Sequence, residues 1–139
     1  MLRAVLDVNV LVSALLSPQG RPAAVIAAWR DGRFDFVASP ILLRELEAVR
    51  RRRHLVDRID RHDLAAFLAD VTRNAILVDD PPPARHVESD PDDDYLITLA
   101  LAGGAHAIVT GDTVLLGLDI ERPRILTPRD FLGALESGG

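Results

Sequence analysis

Short β-prone runs alternate with helical patterns along most of this chain, and this alternation restricts its fold more than any other feature. Parallel strands need a crossover connection, usually a helix, so the pattern is typical of a parallel sheet. We therefore predict an α/β domain whose central, mostly parallel sheet has four to five strands flanked by helices. The predicted strands are Arg3–Leu6, Phe34–Ala38, Ala75–Val78, His106–Thr110 and Arg124–Leu126. The predicted helices are Val10–Leu16, Pro22–Arg30, Pro40–Arg53, Asp60–Asn74, one from Ser89-Asp90-Pro91 to Gly103-Gly104, and a short last one capped by Thr127.

Composition removes several kinds of chemistry. The 139 residues amount to one domain, 1–139, and 48% of them are hydrophobic, which is enough for a sizeable core. Cysteine is absent, so disulfides, thiolate nucleophiles and thiolate metal sites are excluded. All 16 basic residues are arginine, which excludes a P-loop lysine and a Schiff-base lysine.

Charge and hydropathy restrict the partners and the location. The net charge of −5 argues against broad capture of nucleic acid, although a local basic patch remains compatible with it. No apolar run approaches the roughly 18 residues of a membrane helix. Asp7 and Asn9 interrupt the apolar beginning of the chain, which differs in this from a signal peptide. We expect a cytoplasmic protein without a membrane partner.

Two acidic residues follow predicted strands. Asp7 comes directly after the first strand, and Asp112 lies two residues after the fourth, in V-T-G-D. In open parallel sheets, functional groups collect where strands end and helices begin. Asp112 after Gly111 also fits an ordinary turn, so its position alone leaves both interpretations open.

Helical geometry selects two further acids that face inward. At about 100° per residue, Glu45 lies roughly 45° from the centre of the apolar face of its helix, whereas Glu47 lies about 155° away. In the run Asp92-Asp93-Asp94, Asp93 falls within about 15° of the apolar centre and its two neighbours roughly 85° and 115° from it. An acid in a first helical turn also compensates the helix dipole, but that role does not require it to face the core.

The four selected carboxylates need a counter-charge if they converge, because unpaired they would repel each other severely. Arginines in a structural network are one solution. A hard divalent cation such as Mg²⁺ or Mn²⁺ is the more natural one, since it prefers oxygen ligands and keeps several waters. Such a site suits phosphodiester hydrolysis, in which the metal activates water and offsets charge in the transition state. The predicted ligands are Asp7, Glu45, Asp93 and Asp112.

With these residues in view, nearly the whole chain resembles PIN-domain proteins, and especially the VapC-like ribonucleases that are toxins of toxin–antitoxin systems. The resemblance implies a PIN-like three-layer sandwich. Order and spacing of four motifs carry it: V-L-D-V-N-V-L-V-S-A at Val5–Ala14, S-P-I-L-L-R-E-L at Ser39–Leu46, S-D-P-D-D-D-Y-L at Ser89–Leu96 and I-V-T-G-D at Ile108–Asp112.

The resemblance implies a function as well as a fold. It assigns the acidic metal site to the same four carboxylates and makes Asn9 a polar support, Thr110 a hydrogen-bonding residue within the site and Asp90 an accessory acid. Asp94 remains the alternative to Asp93 as the third ligand. The implied activity is that of a Mg²⁺- or Mn²⁺-dependent endoribonuclease leaving 5′-phosphate and 3′-hydroxyl ends. The implied partners are a second copy of the chain and a cognate antitoxin.

Other interpretations remain beside this one. The run Arg50, Arg51, Arg52 and Arg53 either grips RNA phosphates or forms a solvated helix end favoured by the helix dipole. A DNA-directed nuclease would use the same four acids, and a binding module could retain the fold without catalysis. An aspartyl-phosphate phosphohydrolase or receiver domain is disfavoured, because lysine is absent and Asn9 stands where the phosphohydrolase pattern has an aspartate.

Overall fold

One sheet of parallel strands organises the chain. The computed structural model describes residues 1–80 and 91–137, with the side chains of residues 91–94 excepted. The strands are β1 (Arg3–Leu6), β2 (Asp35–Ala38), β3 (Ile76–Leu77), β4 (Ala107–Val109) and β5 (Arg124–Leu126). They lie in the order β3-β2-β1-β4-β5, and every described pairing is parallel. The predicted sheet is therefore confirmed.

Seven α-helices lie in the described ranges. They are α1 (Val8–Leu16), α2 (Arg21–Arg30), α3 (Pro40–Ala48), α4 (Arg61–Asn74), α5 (Pro91–Ala102), α6 (Thr113–Leu116) and α7 (Pro128–Glu136). The third predicted helix ends earlier than its sequence suggested, at Ala48 instead of Arg53. A 3₁₀ turn over Val49–Arg51 follows, and extended backbone at Arg52 then redirects the chain. The short α6 was not predicted, since four residues are too few to show a helical period.

The helices form a layer on each face of the sheet, because side chains alternate between the faces along each strand. Ala4 and Leu6 of β1 belong to one core cluster, together with buried residues of α1, α2, α3, α4 and α7. Val5 belongs to a second cluster, formed mainly with α5 and with Leu115 of α6. The predicted three-layer arrangement is confirmed.

Helices α1 and α2 are part of the larger core. Trp29 of α2 meets Phe36 of β2 edge to face, with ring centroids 5.3 Å apart. Arg30 binds Asp70 of α4 at 2.8 Å and lies over the Phe67 ring, so it ties α2 to α4. Among the described residues no single helix is long and apolar enough to span a membrane. Together α1 and α2 reach that length and composition, with a bend of 102° between them.

Helix α5 ends where it comes closest to the sheet. A Cβ at Gly103 would lie 2.5 Å from Cγ1 of Val37, a fully buried β-branched side chain of β2 with little freedom to move. A Cβ at Gly133, an exposed position inside α7, would meet no atom within 4 Å. The packing of α5 on β2 therefore requires a glycine at 103, whereas α7 has room for a side chain at 133.

We expect Gly103→Ala to lower the free energy of unfolding by about 1–3 kcal/mol, because the added methyl overpacks the contact between α5 and β2. Gly133→Ala should raise it by about 0.5–1 kcal/mol, since alanine is the better helix former. Urea denaturation of both variants and the parent checks the pair. An equal change in the free energy of unfolding for both variants would show that helix propensity, and not the close approach to Val37, determines the effect of alanine at Gly103.

Candidate active site

The carboxylate of Asp7 is buried at the carboxyl end of β1. Parallel pairing sets Leu6 of β1 opposite Val109 of β4, and the Asp7 amide continues this ladder by donating to the Val109 carbonyl at 3.0 Å. Asp7 caps α1, with its Oδ1 accepting the Asn9 amide at 3.1 Å. Only 6% of the residue is exposed. Strand pairing and the helix cap together fix where this negative charge sits.

A single hydroxyl joins the Asp7 carboxylate to the backbone of Asp112. Thr110 is fully buried after β4, and its Oγ1 donates to Oδ2 of Asp7 at 2.8 Å. The same Oγ1 accepts the backbone amide of Asp112 at 3.0 Å. A hydroxyl has one proton to donate and lone pairs to accept with, so both bonds form at once. Thr110 thereby links the ends of β1 and β4.

Asp112 begins α6 beside this pair. Its Oδ1 accepts the Val114 amide at 2.8 Å, which caps the short helix. The residue is partly exposed, and none of the described hydrogen bonds uses its Oδ2. The structure thus brings the two strand-end acids that the sequence singled out into one hydrogen-bonded group.

No arginine within residues 1–80 or 95–137 forms an ion pair with Asp7 or Asp112. The arginine-network explanation therefore has no support at these two carboxylates. Two neighbouring acids with hard oxygen donors, and without an ion pair to any cationic side chain in the described ranges, fit a divalent cation in their donor chemistry. No group of three acidic or histidine side chains suited to a metal occurs in the part of the chain that the structure describes.

Glu45 lies on α3 and is half-buried, as is Glu47 on the same helix, so exposure does not distinguish the two acids that their helix-face angles placed on opposite sides. The phenol of Tyr95, on α5, lies on the same side of α3. Burial raises the pKa of Tyr95 above its ordinary value, and the charge of Asp80 and then that of Glu45 raise it further; the Leu42 amide and Arg44 oppose them. The hydroxyl of Tyr95 is therefore neutral beside Glu45.

The hydroxyl of Tyr95 is buried, and no hydrogen bond of standard geometry to it is described, although the Leu42 amide lies close enough to favour the ionised phenol. The nearby backbone amides of α3 are used elsewhere: Leu42 donates to Ser39 Oγ at 3.4 Å, and Ile41 donates to Asp80 Oδ1 at 3.1 Å. Sequence reasoning missed Tyr95, because an apolar run after an acidic turn predicts only that the ring is packed. No pattern in the sequence shows that the hydroxyl lacks such a bond.

The remaining predicted site residues divide into two groups. Asp90 lies outside the described residues, and so do the side chains of Asp93 and Asp94 on the first turn of α5. Asn9 is exposed in the first turn of α1, and its backbone amide is the group that binds Asp7.

The arginine run lies at the end of α3 and beyond it, and all four residues are exposed. Arg50 binds Glu47 at 2.7 Å, and Arg51 binds the other oxygen of the same carboxylate at 3.0 Å. The helix-face angle placed Glu47 on the side away from the core. In the structure its side chain is partly exposed and forms ion pairs with both arginines. Exposed ion pairs of this kind contribute little to stability.

Comparison with known proteins agrees with this architecture. A family model described as PIN domain matches residues 3–114. The crystal structure of PAE2754 from Pyrobaculum aerophilum is similar with a TM-score of 0.65 at 17% identity, over 98% of this chain and 90% of that one. The crystal structure of VapBC2 from Rickettsia felis, bound to a DNA fragment from the VapBC2 promoter, is similar with a TM-score of 0.58 at 13% identity. The similarity covers 90% of this chain and 97% of that one. No curated protein matches the chain at a significant level.

A parallel α/β sandwich with acids at the carboxyl ends of its central strands defines the class of protein. The chain belongs to the PIN domain family. Members of this family are generally nucleases and usually use divalent metal ions. The resemblance to PIN-domain proteins noted from the sequence motifs is confirmed.

Removing one hydroxyl from each side of the site should have opposite effects on stability. Thr110→Val leaves Oδ2 of Asp7 and the Asp112 amide without a buried partner, so the free energy of unfolding should fall by about 1–3 kcal/mol. Tyr95→Phe removes a buried hydroxyl for which no hydrogen bond of standard geometry is described, so stability should stay the same or rise. Urea denaturation in EDTA measures both. A larger loss for Tyr95→Phe would contradict the hydrogen-bond arrangement given above.

Proposed function

We propose that this chain is a metal-dependent endoribonuclease and the toxin of a toxin–antitoxin pair. One observation carries the proposal: the Thr110 hydroxyl binds both the buried Asp7 carboxylate and the backbone amide of Asp112, and none of the described arginines neutralises either acid. Membership of a family composed largely of nucleases supports it. Two close acids without a counter-charge suit a cation-dependent reaction better than a purely structural role.

The proposed ligands of Mg²⁺ or Mn²⁺ are Asp7, Glu45, Asp93 and Asp112, with Asp90 as an accessory acid. When bound, the metal would lower the pKa of a water molecule and offset negative charge at the phosphodiester. The chain's own groups orient the ligands. Thr110 and the Asn9 amide each hold one oxygen of Asp7, and the Val114 amide holds one oxygen of Asp112. Every carboxylate oxygen has lone pairs beyond these bonds.

The fold similarity to VapBC2, which was crystallised with DNA from their promoter, supports an antitoxin as the partner of this chain. A toxin of this kind acts on RNA and is held inactive by its antitoxin, so we further propose a cytoplasmic homodimer with an RNA substrate. Contacts to the 2′-hydroxyl would distinguish RNA from DNA.

The first experiment compares cleavage of labelled single-stranded RNA and DNA in Mn²⁺, Mg²⁺ or EDTA. We expect the parent protein to cut RNA in the presence of Mn²⁺ or Mg²⁺. No cleavage should occur in EDTA. Asp7→Asn should reduce cleavage by at least about a hundredfold, since it removes a charge from the proposed metal site. Asp119→Asn, an exposed loop change purified identically, is the matched control and should retain full activity.

The outcomes separate the alternatives. Cleavage of DNA alone would replace the RNA assignment while leaving the metal site intact. Cleavage that persists in Asp7→Asn would identify a contaminant or a different site. If neither nucleic acid is cut and calorimetry detects no Mn²⁺ binding, the proposed metal site is wrong.

A further inference from the structure

A groove of about 530 Å³ lies between the end of α3 and the face of α4. Its floor contains Leu64 and Leu68, and three arginines line it together with one acid. Two of the arginines, Arg50 and Arg51, come from the run that the sequence analysis noted, whereas Arg61 begins α4 eight residues beyond that run. Arg52 and Arg53 do not line the groove. The groove therefore contains only the first two arginines of the run, together with one arginine from the next helix.

The groove carries an excess of positive charge on an acidic chain. Glu47 is its acidic member and binds Arg50 and Arg51 through separate oxygens at 2.7 and 3.0 Å. Three guanidinium groups and one carboxylate leave two positive charges, against a net charge of −5 for the whole chain. The groove is therefore a local exception to the charge of the molecule.

The two ion pairs leave the arginines available to a ligand. The side chains of Arg50 and Arg51 are 57% and 64% exposed, and exposed pairs contribute at most about 1 kcal/mol. A guanidinium has five donors in a planar fork that matches a phosphate, and one carboxylate oxygen occupies few of them. Glu47 thus occupies some donors of both arginines without saturating them.

The position of the groove relates it to the candidate active site. Arg50 and Arg51 lie five and six residues after Glu45, just beyond the end of the same helix. Glu47 of α3 lines the groove. A nucleic-acid strand bound there would pass α3, the helix that carries Glu45, and the apolar lining residues offer its bases a surface to pack on.

We propose that this groove binds the phosphate backbone of single-stranded RNA, with Arg61 acting beside Arg50 and Arg51. The inference rests on the proposed function, since it assigns the substrate of that activity to a definite surface. An acidic protein segment is the competing occupant. It is the weaker candidate because planar guanidinium forks suit phosphate and the proposed substrate supplies it.

The test measures binding of a labelled single-stranded RNA by anisotropy in EDTA, from 50 to 200 mM salt, so that cleavage plays no part. The groove variant combines Arg50→Gln, Arg51→Gln and Arg61→Gln. The matched control, Arg33→Gln, Arg73→Gln and Arg122→Gln, removes the same charge from exposed positions outside both the groove and the arginine run. Loss of three phosphate contacts should flatten the slope of log K against log salt by about 2, whereas the control should change it by less than about 0.5.

Glu47→Gln provides a test of opposite sign. Removing the carboxylate frees both guanidinium forks and adds positive charge to the groove, so RNA should bind about three- to tenfold more tightly. Glu121→Gln removes the same charge from an exposed loop before β5 and should have a much smaller effect.

Equal slopes for the groove and control variants would overturn the proposal and leave the groove to an acidic protein partner. Failure of the parent to bind RNA would overturn it too. A flattened slope without any metal-dependent cleavage would retain the groove while the proposed nuclease activity fails. Circular dichroism of each triple variant verifies that the fold is intact.

Discussion

The pairing of β1 with β4 decides where the acids of this domain meet. Because Leu6 lies opposite Val109, the next residues on both strands, Asp7 and Thr110, emerge side by side at the carboxyl edge of the sheet. The bond between their side chains then forms without any loop having to adopt an unusual shape. A shift of one residue in this pairing would turn Asp7 to the other face of the sheet. The candidate site is therefore a direct consequence of strand register.

Much of the fold could be predicted from local patterns. The bounds of β1 and β5 match, and the caps at Ser39 and Thr127 lie where proline follows a hydroxyl residue. Predictions were less accurate where tertiary contacts override local preference. The arginines after Ala48 are good helix formers, yet the chain leaves the helix there because Leu55 has to return to the core.

The site shows the same division. Helix-face angles placed Glu45 on the inner side of α3, and strand ends selected Asp7 and Asp112, because both arguments use a fixed geometric period. The roles of Tyr95 and Arg61 were not predictable in this way. The surroundings of the Tyr95 hydroxyl depend on how α5 packs near α3. The position of Arg61 in the groove depends on how α4 packs against α3. Packing between elements distant in the sequence leaves no periodic signal.

The groove between α3 and α4 contains arginine alone as its basic residue type, in a chain without lysine. Acetylation, which neutralises lysine, has no target residue here, so the positive charge of this surface does not depend on that modification. Ionic strength screens the arginines and Glu47 competes for their donors, so the groove responds to the salt around it and to the carboxylate within it.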